Sequence, residues 1–136
     1  MSTIRQQIID AVTARLEGIL PSGVYPWRKV PFSKAQVPAI AFWDTESILG
    51  EGTMQSFAHR LTVTVIGVFA ASATMDDARS RQGEILAAIG SDMTWGGLAA
   101  WTEVTAQDVS LQQAGDIVTG CELILTIVYY TDLWSI

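Results

Sequence analysis

The residues with the most chemical potential in this sequence are a single histidine and a single cysteine, His59 and Cys121. An imidazole and a thiol can form a nucleophilic dyad, in which the histidine accepts the proton of the thiol. Both residues lie inside runs of alternating side chains, and no nucleophile motif surrounds either of them. The sequence therefore predicts no catalytic residue, no cofactor and no enzyme activity.

Two short motifs resemble sites for a metal ion or a phosphate group. Asp76 and Asp77 are adjacent, but no third ligand follows nearby, so we interpret them as acids at the start of a helix. The sequence Gly-Glu-Gly-Thr at residues 50–53 lacks the lysine of a P-loop and any helix after it. We expect no metal site and no phosphate site, and we interpret residues 44–53 as a loop that contacts partners.

Residues 21–38 hold all four prolines and mix aromatic with basic side chains, among them Trp27, Arg28 and Lys29. Such a mixture can bind nucleic acid by base stacking and phosphate contacts. The formal net charge of -6 argues against that function, because affinity for nucleic acid comes largely from phosphate neutralisation. We interpret this stretch as an irregular arm that packs on the domain or on a neighbouring subunit.

The composition predicts one domain that associates with other chains. Of the 136 residues, 49% are hydrophobic and only 16% are charged, so a monomer would expose apolar surface to water. A single cysteine indicates a reducing compartment. The first residues lack the apolar region of a signal peptide, and the longest uncharged run is too short to span a membrane. We expect a soluble intracellular protein without a membrane segment.

The elements that would position these residues follow from hydrophobic periodicity. Residues 57–69 and 117–130 alternate with period two and predict long strands, the second one central. Shorter strands are expected at residues 39–43 and 102–111, the latter with an irregularity near Asp108. Apolar residues spaced by three or four predict a helix between Thr3 and Gly18, and a second helix follows Thr74 and ends at Gly90.

The resulting order, α-β-β-α-β-β, predicts an α+β fold. We expect a single domain over residues 1–136, with a four-stranded, mainly antiparallel sheet and two helices packed on one of its faces. An irregular arm at residues 21–38 and a short apolar tail at residues 131–136 complete the chain.

Several of these stretches occur in the order found in a family of phage structural proteins. The most specific are PAI before the first strand, D-x-T-x-G-G-L-A at residues 92–99 and Y-x-T at residues 129–131. With the helix IRQQIIDAVTARL and the strand CELILTIVYYTD, they make the chain resemble phage tail terminator proteins, the lambda-type minor tail protein U group. The likeness spans nearly the whole chain, although the Pro/aromatic arm departs from the pattern.

The resemblance implies a structural virion protein that forms a homo-hexameric ring on the head-proximal end of a siphophage tail tube. Such a ring stops tube polymerisation and presents a surface for head joining. Its partners are the tail tube protein and a head-tail connector or neck protein, and DNA passes through without specific binding. The protein would be assembled in the host cytoplasm and reside in the virion tail.

On this interpretation the contact regions are the loop at residues 44–53, the turn at residues 95–101 and the C-terminal tail. The candidate residues for contacts between subunits or with the tube are Trp27, Arg28, Glu46, Glu51, Trp95, Trp101 and Trp134. Two alternatives stay open. One is a neck or head-tail joining protein of the same fold, and the other is a small ligand-binding α+β domain with a deep pocket at His59 or Cys121.

Overall fold

The computed structural model describes residues 3–21, 23–26, 37–53, 56–70, 72–114 and 117–132. Over these residues the elements follow one another as α1 (Ile4–Glu17), β1 (Val24–Pro26), β2 (Ala39–Thr53), β3 (Ser56–Ala70), α2 (Met75–Gly90), β4 (Trp101–Ala114) and β5 (Ile117–Asp132). The α+β class is confirmed. Neither α1 nor α2 is long and apolar enough to cross a membrane.

The sheet has five strands and is mixed, so the prediction of four mainly antiparallel strands is wrong in detail. Its spatial order is β1-β2-β3-β5-β4. The additional strand, β1, pairs in parallel with β2 and lies within the stretch expected to be irregular. Three residues are too few to show a period, and a proline at the end of an edge strand costs no ladder hydrogen bond.

The segment interpreted as a loop at residues 44–53 is the second half of strand β2. It continues the antiparallel pairing with β3, and the register shifts between Ile48 and Gly50 and between Glu51 and Thr53. Glycine and acidic residues disfavour strands. Here the long partner strand imposes the extended conformation, and the irregularities accommodate the glycines.

Local capping signals explain where the helices begin. In α1 the Thr3 hydroxyl accepts the N–H of Gln6 at 3.1 Å, which confirms the predicted start. In α2 the capping box is complete: the Thr74 hydroxyl accepts from the Asp77 N–H, and the Asp77 carboxylate accepts from the Thr74 N–H. Of the two acids expected to cap this helix, Asp77 does so, whereas Asp76 lies in the first turn and pairs with Arg79.

Both helices contribute to one hydrophobic core on one face of the sheet. Ile8, Val12 and Leu16 of α1 meet Ile85 and Ile89 of α2 in this core. The sheet supplies alternate residues of β2, β3 and β5, namely Ile40, Phe42, Leu61, Val63, Val65, Cys121, Leu123, Leu125, Ile127 and Tyr129. The period-two pattern of β3 and β5 thus gives the face that the helices cover.

Two glycine-to-alanine substitutions should have opposite effects on stability. A Cβ on Gly120 would lie 2.7 Å from a ring carbon of Phe69 and 3.0 Å from Cβ of Ala78, whereas a Cβ on Gly83 in α2 meets nothing within 4 Å. We expect Gly120→Ala to lower the free energy of unfolding by about 1–3 kcal/mol through overpacking. Gly83→Ala should raise it by about 0.5–1 kcal/mol. Urea unfolding measures both, and equal effects would contradict the packing described.

Candidate functional site

A cluster of polar side chains lies on the helix-covered face of the sheet, at the end where β2 and β3 form their hairpin. Strand β2 contributes Asp44 and Glu46 two residues apart, and the register places His59 of β3 opposite Tyr129 of β5. Alternate residues of a strand share a face, so these side chains converge. Helix α1 adds Arg5 from its first turn.

Arg5 bonds the carboxylates of Asp44 and Glu46. Its Nε and Nη2 lie 2.9 Å and 2.7 Å from Oδ2 of Asp44, and its Nη1 lies 2.9 Å from Oε2 of Glu46. Burial acts to lower the pKa of Arg5, but the hydrogen bond to Asp44 and the attraction of the two carboxylates outweigh it and raise the pKa. The guanidinium therefore stays charged and holds α1 on β2.

The second oxygen of Glu46 faces an aromatic pair. The Tyr129 hydroxyl donates a hydrogen bond to Glu46 Oε1. Burial is the larger cause that raises the pKa of Tyr129, and this hydrogen bond raises it further. The His59 ring stacks on the Tyr129 ring at 4.8 Å between centroids, and its Nε2 lies 2.7 Å from Oγ1 of Thr131. His59 Nδ1 lies 3.0 Å from Glu46 Oε1 but is not aligned for a hydrogen bond, so the contact is electrostatic.

The network is buried around His59, whereas its Arg5–Asp44 end borders a cavity. His59 and Asp44 are each only 2% exposed. A cavity of about 540 Å³, here named the α1 groove, is lined by Thr3, Gln6, Asp10 and Thr13 along one side of α1 together with Arg5, Ile9 and Asp44. Neither His59 nor Tyr129 belongs to the lining residues of this groove.

A Cys-His dyad is ruled out by the register. Cys121 pairs with Gly67, eight residues along β3 from His59. Eight residues of a strand span about 26 Å, which is far beyond hydrogen-bonding reach. Burial also raises the pKa of the Cys121 thiol, which disfavours the reactive thiolate. Across the residues the structure describes, no group of three His, Cys, Asp or Glu side chains could hold a metal ion.

The turn between α2 and β4 is organised by Asp92. Its carboxylate accepts from the Thr94 hydroxyl at 2.7 Å, from the Gly96 N–H at 2.8 Å and from the Thr94 N–H at 3.0 Å. These hydrogen bonds lower the pKa of Asp92 to about 2, and the bond from the Thr94 hydroxyl has the largest effect. Arg15 of α1 lies 3.5 Å from the same carboxylate, so the turn is also tied to the first helix.

The two tryptophans of this turn have different environments. Trp95 is only 2% exposed; its indole N–H donates to Thr102 Oγ1 at 2.7 Å, and the Arg15 guanidinium lies 4.0 Å from the ring centre. Trp101 is 43% exposed at the start of β4. Of the two, only Trp101 exposes a large part of its side chain to solvent.

The other predicted contact residues fall into two groups, those that the structure describes and those that it does not. Glu46 lies in the polar network, and the backbone of Glu51 pairs with Phe57 in the sheet. Trp27, Arg28 and Trp134 lie outside the described residues. The remaining members of the network were not among the predicted site residues, namely Arg5, Asp44, Tyr129 and Thr131. The sequence contains one indication of the network. Phe42, Asp44 and Glu46 are every second residue of a strand and share one face, so two acids continue a row of apolar side chains.

Glu46 should contribute strongly to stability. Glu46→Ala would leave the Tyr129 hydroxyl without its acceptor and one arm of Arg5 unpaired. We expect a loss of about 1–3 kcal/mol in the free energy of unfolding, because the pair is only partly buried and the main cost is the unpaired Tyr129 hydroxyl. Glu103→Ala, an exposed acid on β4, should stay within about 0.5 kcal/mol of wild type. A similar small effect for both variants would contradict the network.

The Asp92 turn should make stability depend on pH in the acid range. Because its pKa falls from 3.8 to about 2 on folding, Asp92 stabilises the fold above pH 3.8 and loses this contribution as the pH falls towards 2. The difference in unfolding free energy between wild type and Asp92→Asn should thus be constant near neutrality and shrink between about pH 4 and 2. Thr94→Ala removes the main donor and should reduce this pH dependence; a flat difference would refute the assignment.

The function of the chain has to be inferred from these features of its own residues. No protein-family model matches the chain, and no curated protein sequence matches it. The described residues provide a partly buried ionic network, a turn held by hydrogen bonds to Asp92 and an edge strand with exposed apolar side chains.

Proposed function

We propose that the chain is the subunit of a ring that closes the head-proximal end of a siphophage, or prophage-derived, tail tube. In this proposal the ring contains six copies, stops tube polymerisation and provides the surface to which the connector or neck protein joins. The sequence resemblance supports this function. The protein is then a structural component of the virion tail, assembled in the host cytoplasm, and carries no catalytic site.

The observation that carries the proposal is the exposed apolar edge of the sheet. Strand β4 pairs only with β5 among the strands the structure describes, and it exposes Trp101, Val104 and Leu111 by 43%, 39% and 40%. Tyr130 of β5 lies two residues beyond the partner of Trp101 and is 45% exposed. An unpaired strand edge with apolar side chains is suited to association with another chain.

The two edges of the sheet differ, which supports a head-to-tail ring rather than a symmetric pair. One edge is the fourteen-residue strand β4, and the other consists of the three-residue β1 beside the long β2. If β4 of one copy meets a different surface of the next copy, the contact is heterologous and closes into a ring at a fixed rotation.

The charge of the chain is compatible with a passage for DNA. Six copies would carry 6 × -6 = -36 formal charges. Acids that line a channel repel phosphates from its wall, so DNA would pass without specific binding. The same acidity disfavours an alternative in which the ring grips the DNA backbone.

Native mass spectrometry of the purified protein, alone and mixed with the tube protein of the same genome, tests the proposal. We expect a species of about 88 kDa, six times the 14.7 kDa of the chain, that binds tube ends and fixes their length. Trp101→Ser should weaken assembly by about 30-fold, which corresponds to the loss of one interface hot spot.

Arg79→Ala is the matched control, because Arg79 is exposed on α2 and lies outside the β4 edge. It should leave the assembly unchanged, and circular dichroism should show both variants folded. A chain that stays monomeric and also ignores tube ends would overturn the proposal.

A further inference from the structure

The α1 groove has a shape that suits an extended peptide. Thr3, Gln6, Asp10 and Thr13 follow one another at intervals of three or four residues and so form one polar stripe along the helix. Ten residues of helix span about 15 Å. An extended segment of four or five residues covers the same length, at about 3.3 Å per residue.

The groove carries an excess of negative charge. Asp10 and Asp44 line it, and Glu46 lies behind Asp44 on the same strand face. Among the lining residues that the structure describes, Arg5 is the only cation, so the lining carries a charge of -2 + 1 = -1. All three nitrogens of its guanidinium already contact Asp44 or Glu46, and it therefore has little capacity to neutralise Asp10.

Asp44 has one carboxylate oxygen without a donor. Its side chain is 2% exposed, and Arg5 bonds only Oδ2. Within the described part of the chain, Oδ1 has no hydrogen-bond partner. Buried carboxylate oxygens are normally hydrogen-bonded, so Oδ1 of this lining residue is an acceptor without a donor. With a net lining charge of -1, a cationic donor fits better than a neutral one.

We propose that the α1 groove binds an extended segment of a partner protein that carries an arginine or lysine side chain. The cationic head group approaches Asp44 and offsets its charge together with that of Asp10. The backbone of the segment lies along the polar stripe of α1. This site is separate from the β4 edge, so it goes beyond the proposed ring and does not depend on it.

A peptide titration followed by amide chemical shifts of the ¹⁵N-labelled protein tests this site directly. The probe is a five-residue peptide of serine and glycine with a central arginine, and its control carries citrulline, which has the same shape without the charge. We expect millimolar binding at 50 mM salt, with shift changes confined to residues 3–13 and the neighbourhood of Asp44. The citrulline peptide should bind at least about 10-fold more weakly.

Asp10→Asn is the informative variant, because Asp10 is exposed and is not bonded to Arg5, so that the fold is retained. This substitution should weaken binding of the arginine peptide about 3-fold or more. The control Asp76→Asn removes an acid on α2 that is 91% exposed, and it should leave the binding of the peptide unchanged. Three outcomes would overturn the site. They are equal binding of the two peptides, chemical-shift changes elsewhere in the protein, and no binding at 20 mM peptide, which is roughly the limit of weak association. Ethylguanidinium binding as tightly as the peptide would assign the groove to a small cation instead and would overturn the proposed partner.

Discussion

The fold depends on one electrostatic constraint, the placement of two carboxylates on the helix-covered face of the sheet. Asp44 and Glu46 occupy positions that continue the apolar row of Phe42 on β2. A charge removed from water needs a partner of opposite charge, and Arg5 of α1 is that partner for both acids. The orientation of α1 is therefore specified by a directional ion pair as well as by apolar packing, which by itself tolerates rotation and sliding.

The periodic elements could be predicted from the sequence, but the network could not. The long strands β3 and β5 and the capped helix α2 follow from local patterns, and the structure has them close to the expected limits. The Arg5–Glu46 and Tyr129–Glu46 bonds join residues 41 and 83 positions apart, and no local pattern encodes such distances. The second half of β2 was missed for a related reason, since its extended form is imposed by the partner strand rather than by its own residues.

The turn after α2 shows the same limit at short range. Trp95 and Trp101 are six residues apart, yet one belongs to the core and the other faces solvent. The difference arises because Trp95, Gly96 and Gly97 adopt positive φ, which reverses the chain and directs the Trp95 indole inward to Thr102. A sequence motif can indicate that such a turn exists, but the handedness of three residues decides which tryptophan is available to other chains.

Helix α1 is fastened near both of its ends. Arg5 bonds the β2 acids, and Arg15, ten residues later, contacts the Asp92 turn and donates to the Ile89 carbonyl at 3.2 Å. The two attachment points are about 15 Å apart on a rigid element. The helix therefore acts mechanically as a brace between the β2–β3 hairpin and the turn that precedes the β4 edge. These two regions are therefore connected through a single helix as well as through the strands of the sheet.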